Sequence, residues 1–189
     1  MLRHRVLRLN SSGICCRSKE VGMFTRRNLV PLVLCFIACV ALCASAASDS
    51  TEPAPRFRAK TLNGEMFTND SVKGHVVLLQ FWTTWCPYCR GEQSIVDKID
   101  REFADKGVIV LAVDVGESKK TVKKYLAERP RSCRIVLAED TNLAATYAAN
   151  AFPIYVVIDR DGNVAGKQRG AAGERALRAL LRRAGLGTE

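Results

Sequence analysis

The chain has 189 residues, 48% of them hydrophobic, and a formal net charge of +10. Most of that excess precedes Ala47. From there onward 22 Lys+Arg face 18 Asp+Glu, or +4, and few aromatic residues lie among the basic ones, which argues against nucleic-acid binding. Nor do eight cysteines make a disulfide scaffold, because Cys15, Cys16, Cys35, Cys39 and Cys43 share the early segment and leave only Cys86, Cys89 and Cys133 beyond it.

The early segment reads as a targeting signal. Thr25-Arg26-Arg27-Asn28 is basic, Leu29 to Cys43 is apolar except for Pro31, and Ala44-Ser45-Ala46 is a small-x-small cleavage site. Counted to Ala47, the apolar run is also just long enough to span a bilayer. Residues 1–46 are therefore expected to be an N-terminal extension with a cleaved signal peptide or a membrane anchor. A lipid-modified Cys39 fits less well, because Phe36-Ile37-Ala38 lacks the usual leucine. Each route exports the rest of the chain, to the periplasm or the outer face of the cytoplasmic membrane. The Arg-rich residues before Met23 do not fit a signal peptide, and Met23 is the expected start. Residues 47–55 read as a linker. Residues 56–187 read as one domain, large enough for a real core.

The elements come in this chain order. Phe57 to Lys60 and Glu65 to Phe67 flank Asn63-Gly64, a hairpin signal. Val76 to Trp82 is nearly continuous apolar, as a strand buried on both faces requires. Cys86 to Phe103 has helical periodicity and ends at Lys106-Gly107, and Val108 to Val113 is a second buried strand. Lys119 to Glu128 is helical and stops before Pro130. Ile135 to Ala138 is a short strand and Leu143 to Ala149 a short helix. Ile154 to Ile158 is a strand that Asp161-Gly162 turns into another near Val164 to Lys167. Glu174 to Ala184 is a terminal helix stopped by Gly185. Strands alternating with helices predict an α/β fold with a mainly parallel sheet and an antiparallel terminal hairpin.

The chemistry is concentrated in Trp85-Cys86-Pro87-Tyr88-Cys89. Two cysteines two residues apart, at the junction of a buried strand and a helix, suit a reversible dithiol/disulfide. The helix N-terminus stabilises a thiolate on Cys86. Pro87 takes the favoured first helical position, and Cys89 lies one turn in, placed to resolve a mixed disulfide formed at an exposed Cys86. A structural zinc site needs four ligands, and only Cys133 and His75 are at hand. A c-type haem site needs histidine after the second cysteine, and Arg90 stands there. A two-residue loop makes a poor structural staple. No metal and no cofactor beyond the Cys86/Cys89 pair is implied.

Glu92 lies on the stripe Cys89, Glu92, Val96, Ile99, Phe103, whose spacing is that of a core-facing helix surface. Burial there would disfavour its charged form and let it relay a proton to or from Cys89. An early-helix glutamate facing water is the plainer alternative. Cys133, in a polar stretch, reads as an incidental free thiol.

These residues resemble a known family. Ala54-Pro55-Arg56-Phe57, Gly74-His75-Val76-Val77, Phe81-Trp82-Thr83-Thr84-Trp85-Cys86-Pro87-Tyr88-Cys89-Arg90, Phe152-Pro153 and Val157-Ile158-Asp159-Arg160-Asp161-Gly162 are similar to the TlpA/ResA-type members of the thioredoxin superfamily. The resemblance covers roughly Ala54 to Leu186. It implies a thioredoxin-like fold: a central mixed sheet of four to five strands flanked by helices, with an N-terminal β-hairpin and a helix–strand insertion. It also implies a functional glutamate at Glu92 and a cis Pro153 packed across from the cysteines. Phe152 would then offer backbone to an extended substrate, with Trp85, Pro87 and Tyr88 completing the substrate site. Thioredoxin proper has a buried aspartate where this chain has Gln80. Other departures are Gln93-Ser94 after Glu92, the Pro-Tyr pair between the cysteines, and Ile154-Tyr155 after the proline.

The expected function is an exported thiol–disulfide oxidoreductase in which Cys86 attacks, Cys89 resolves and Glu92 handles the proton. Its partners would be exported protein thiols and disulfides, with apocytochrome c a family-level expectation, and a membrane electron donor. One alternative is a peroxiredoxin-like peroxidase: Thr83 stands three before Cys86, although Leu79 replaces the expected proline. The other is a non-catalytic exported binding module with a permanently oxidised pair.

Overall fold

The computed structural model describes residues 52–187; the predicted leader and the first part of the linker lie outside the described residues. The segment Val76–Trp82 explains the architecture. All seven of its side chains are buried, which requires cover on both faces of the sheet it lies in. The strands in chain order are β1 (Glu52–Pro53), β2 (Arg58–Thr61), β3 (Met66–Thr68), β4 (Val76–Trp82), β5 (Val108–Asp114), β6 (Arg134–Thr141), β7 (Ile154–Ile158) and β8 (Asn163–Arg169). They form one mixed sheet in the order β1-β8-β7-β4-β5-β6-β2-β3.

The sheet is wider than the expected four to five strands, and less parallel. The β2–β3 hairpin adds antiparallel to the far side of β6. Glu52–Pro53, assigned by sequence to the linker, pair with β8 at the other edge. Only β4–β5 and β5–β6 pair in parallel, because β7 returns antiparallel to β4 and β8 antiparallel to β7. The turn between β2 and β3 is closed by Gly64, whose φ of +89° a side chain would oppose.

Four α-helices are described: α1 (Pro87–Phe103), α2 (Lys119–Glu128), α3 (Leu143–Thr146) and α4 (Gly173–Arg183). No helix among the described residues is long and apolar enough to cross a membrane. Alternation along β4 divides the core in two. Val76, Leu78 and Trp82 pack with Cys89, Val96, Ile99 and Phe103 of α1 and Leu177 and Leu181 of α4. Val77, Leu79 and Phe81 face the opposite layer, with Phe57, Phe67, Leu143 and Tyr147. The predicted stripe of α1 is buried as the spacing requires, and Asp97 and Asp100 join it. Helix α1 ends in a 3-10 turn, Ala104–Lys106, stopped by Gly107 in the left-handed region at φ +78°. At the surface, Lys98 with Glu174 and Arg178 with Glu102 join α1 to α4. Such partly solvated pairs contribute little; the apolar face of α4 holds it in place.

Leu177 is fully buried, so Leu177→Ala should cost about 2–5 kcal/mol. Urea unfolding should show a lower midpoint with an unchanged slope. A loss well below about 1 kcal/mol would mean that the α4 face contributes less than its burial implies.

Candidate active site

The parallel strands β4 and β5 end side by side, Trp82 in register with Asp114. The chain leaves β4 through Thr83, Thr84 and Trp85 and enters α1 at Cys86. Cys86 is the N-cap, and its Sγ accepts the Cys89 N–H at 3.1 Å, with Pro87 in the first turn. Cys86 and Cys89 form a disulfide with Cα atoms 5.3 Å apart. The sequence predicted an exposed Cys86, but both cysteines are buried, at 3% and 2% exposure. In the oxidised form the Cys86 sulfur is bonded inward to Cys89 and to its N–H.

Strand β7 runs antiparallel to β4 with Ile154 opposite Phe81. That register brings the residues just before it level with the cysteine loop. The Phe152–Pro153 bond is cis, and the Phe152 ring meets Trp85 edge-on at 6.1 Å. Trp85 and Tyr88 are among the few large apolar side chains exposed, at 63% and 66%. With the exposed Pro87 they form an apolar rim around a buried disulfide.

Glu92 is buried, which removes the water-facing alternative. Its Oε2 accepts the Tyr155 hydroxyl at 2.6 Å. Its Oε1 accepts the Ala172 N–H at 2.8 Å and the Gly173 N–H, the free donors at the start of α4. Tyr155 also accepts from Gln80 Nε2 at 3.3 Å. Burial, reinforced by the Glu92 carboxylate, holds the Tyr155 phenol far above its ordinary range, so it stays a donor.

Two acids escaped the sequence reading. Asp97 meets Arg131, whose Nε lies 2.8 Å from its Oδ1. Asp114 closes β5 at 0% exposure, and neither of its oxygens has a hydrogen-bond partner among the described residues. Burial and the adjacent Glu117 push its carboxyl up to about 8. The signal was available as a lone acid ending an apolar strand, next to the motif in a parallel pair. Glu117 grips the cysteine loop: its oxygens accept the Thr84 N–H at 2.5 Å and the Thr84 Oγ1 hydroxyl at 2.6 Å. Cys133 is buried, and desolvation pushes its thiol up to about 12, which suits an inert sulfur.

Comparison with known proteins agrees with this geometry. Residues 49–181 match the Redoxin family. The chain is 28% identical over 130 residues to thiol-disulfide oxidoreductase ResA of Bacillus cereus, covering 69% of this chain and 75% of that protein. It is 34% identical over 113 residues to the thioredoxin-like protein YneN of Bacillus subtilis, covering 59% and 66%. Among solved structures, a putative thiol:disulfide interchange protein DsbE from Chlorobium tepidum superposes with a TM-score of 0.63. It is 26% identical and covers 72% of this chain and 97% of that one.

Asp114 makes stability depend on pH with a definite sign. Its pKa rises from 3.8 unfolded to about 8 folded, so between those values the folded state binds more protons and stability falls as pH rises. Asp114→Asn should lose less stability than the parent between pH 5 and pH 8 in urea titrations. Equal losses would show that Asp114 ionises as easily folded as unfolded.

Proposed function

This chain belongs to the Redoxin family and is a thiol–disulfide oxidoreductase, and we propose that it exchanges the Cys86/Cys89 pair with exported proteins outside the cytoplasm. The observation that carries the proposal is the Cys86–Cys89 disulfide at the N-terminus of α1, level with the cis Phe152–Pro153 bond.

In the reducing direction the Cys86 thiolate forms at the helix N-terminus, where the dipole and the Cys89 N–H favour negative sulfur. It attacks one sulfur of a substrate disulfide; a Cys86–substrate disulfide forms and the other substrate sulfur leaves as thiolate. Cys89 loses its proton and attacks the Cys86 sulfur. The enzyme disulfide closes, the second substrate thiolate is released, and two electrons have passed to the substrate. Glu92, one turn from Cys89 on the same buried stripe, serves the proton of Cys89. Trp85, Tyr88 and Phe152 supply the apolar rim on which an extended substrate docks, and Pro87 and Pro153 shape its floor.

The basic, apolar, small-residue order of Thr25 to Ala46 supports export, with the domain either released or anchored. The resemblance of the motif residues to TlpA/ResA-type proteins is the ground for proposing a membrane electron donor and the paired haem-binding cysteines of apocytochrome c as substrates.

Trapping tests the roles. Cys89→Ser should accumulate mixed disulfides with exported proteins on non-reducing gels, and Cys86→Ser should give none; equal trapping would refute the division of labour. Glu92→Gln should keep the fold and the cysteine pair yet slow disulfide exchange, and rates matching the parent would remove Glu92 from the mechanism.

A further inference from the structure

Arg131 behaves unlike the other basic residues. By sequence it belongs with Arg129 and Arg134 on a solvated surface, yet its side chain is 1% exposed. Its Nε donates to both Asp97 oxygens, at 2.8 and 3.1 Å. Its Nη2 donates to Gln80 Oε1 at 3.2 Å, and its guanidinium lies 5.4 Å from the centre of the Trp82 ring. The Asp100 carboxylate and the Cys133 thiol also lie near this cluster, and the Tyr125 ring packs on Trp82 at 5.6 Å.

That contact decides which way the buried Gln80 amide points. With the oxygen taken by Arg131, the amide nitrogen faces Tyr155 and donates to its hydroxyl. The hydroxyl has one proton, and it goes to Glu92. Three successive bonds thus run in one direction, from a cation that cannot lose its charge to a carboxylate on the cysteine helix. Bonds aligned this way strengthen one another in a low-dielectric interior. Without the guanidinium, the Gln80 amide is free to turn its oxygen toward Tyr155, accept the phenol proton and withdraw it from Glu92.

We infer that Arg131 is a positioning residue for disulfide exchange: acting through Gln80 and Tyr155, it fixes the hydrogen bond to Glu92 and thereby the proton transfer at Cys89. The inference rests on the proposal that Glu92 serves Cys89. If Arg131 only neutralises Asp97, the pair can be removed without changing the chemistry.

Two cuts in the relay test this. Arg131→Met with Asp97→Asn removes both charges together and leaves no unpaired buried ion. Tyr155→Phe removes one hydroxyl and keeps the ring. For each folded protein, single-turnover reduction of a disulfide peptide is followed from pH 5 to pH 9. Both variants should shift the pH profile in the same direction and change the rate at pH 7 by about threefold or more, equivalent to half a pH unit. Combining them should add little, since they break the same chain. Parent-like profiles in Tyr155→Phe, or effects that add in full, would overturn the relay. Glu92→Gln separates the two levels: if it slows exchange while the relay variants do not, only the role of Arg131 fails. If Glu92→Gln is also parent-like, the Glu92 proposal fails and takes the relay with it.

Discussion

An ionisable group inside an apolar layer has to be met by hydrogen-bond partners, and Glu92 is met by elements distant in sequence. The Tyr155 hydroxyl comes from β7, and the Ala172 and Gly173 N–H groups come from the start of α4. Glu92 stands three residues after Cys89, and Tyr155 two residues after Pro153. Satisfying one carboxylate therefore fixes the cysteine helix against the strand that begins after the cis bond. A drift of α1 by one turn would strand the carboxylate and its donors, at about 1–3 kcal/mol for each unmet group. The opening turn of α4, which carries no acidic cap of its own beyond Glu174, is capped by the same residue across 80 positions of sequence.

The remaining buried polar groups divide by whether they are met. Gln80 interrupts the apolar alternation of β4 at no exposure, and it is tolerated because Arg131 and Tyr155 occupy the two ends of its amide. Asp97 and Arg131 share a buried ion pair, with Trp82 under the guanidinium. Asp114 sits at no exposure beside Glu117 with no cation against it among the described residues, so burial dominates and holds its proton up to about 8. One short region behind the disulfide thus holds a carboxylate with three donors, a paired carboxylate and an unpaired acid.

Local pattern carried much of this in the sequence. β4, α2 and β7 begin and end where periodicity and turn residues place them, because each is a nearly continuous pattern bounded by breakers. The stripe of α1 was equally legible, and with it the burial of Glu92. What hid were contacts between residues far apart in sequence. Asp97 looks like any helix acid until Arg131 arrives 34 residues later. Tyr155 looked like a departure from a family pattern and proves to be the donor that joins Gln80 to Glu92. The extra sheet width was hidden too: a hairpin signal says that two strands pair with each other, and nothing local says that the pair will also dock on β6.

The width of that sheet has a consequence of its own. A sheet ends in unpaired backbone amides and carbonyls, and these invite other chains to add on. Here the eight strands taper: the two outermost, β1 and β3, have two and three residues, whereas β4 and β5 at the centre have seven each. The long apolar strands lie where no second molecule can reach their backbone. β1 covers only Asn163 and Val164 of β8, and the stretch of β8 beyond it carries Lys167 and Arg169, charges that oppose edge-to-edge aggregation of a protein whose sheet is otherwise rich in valine, isoleucine and leucine.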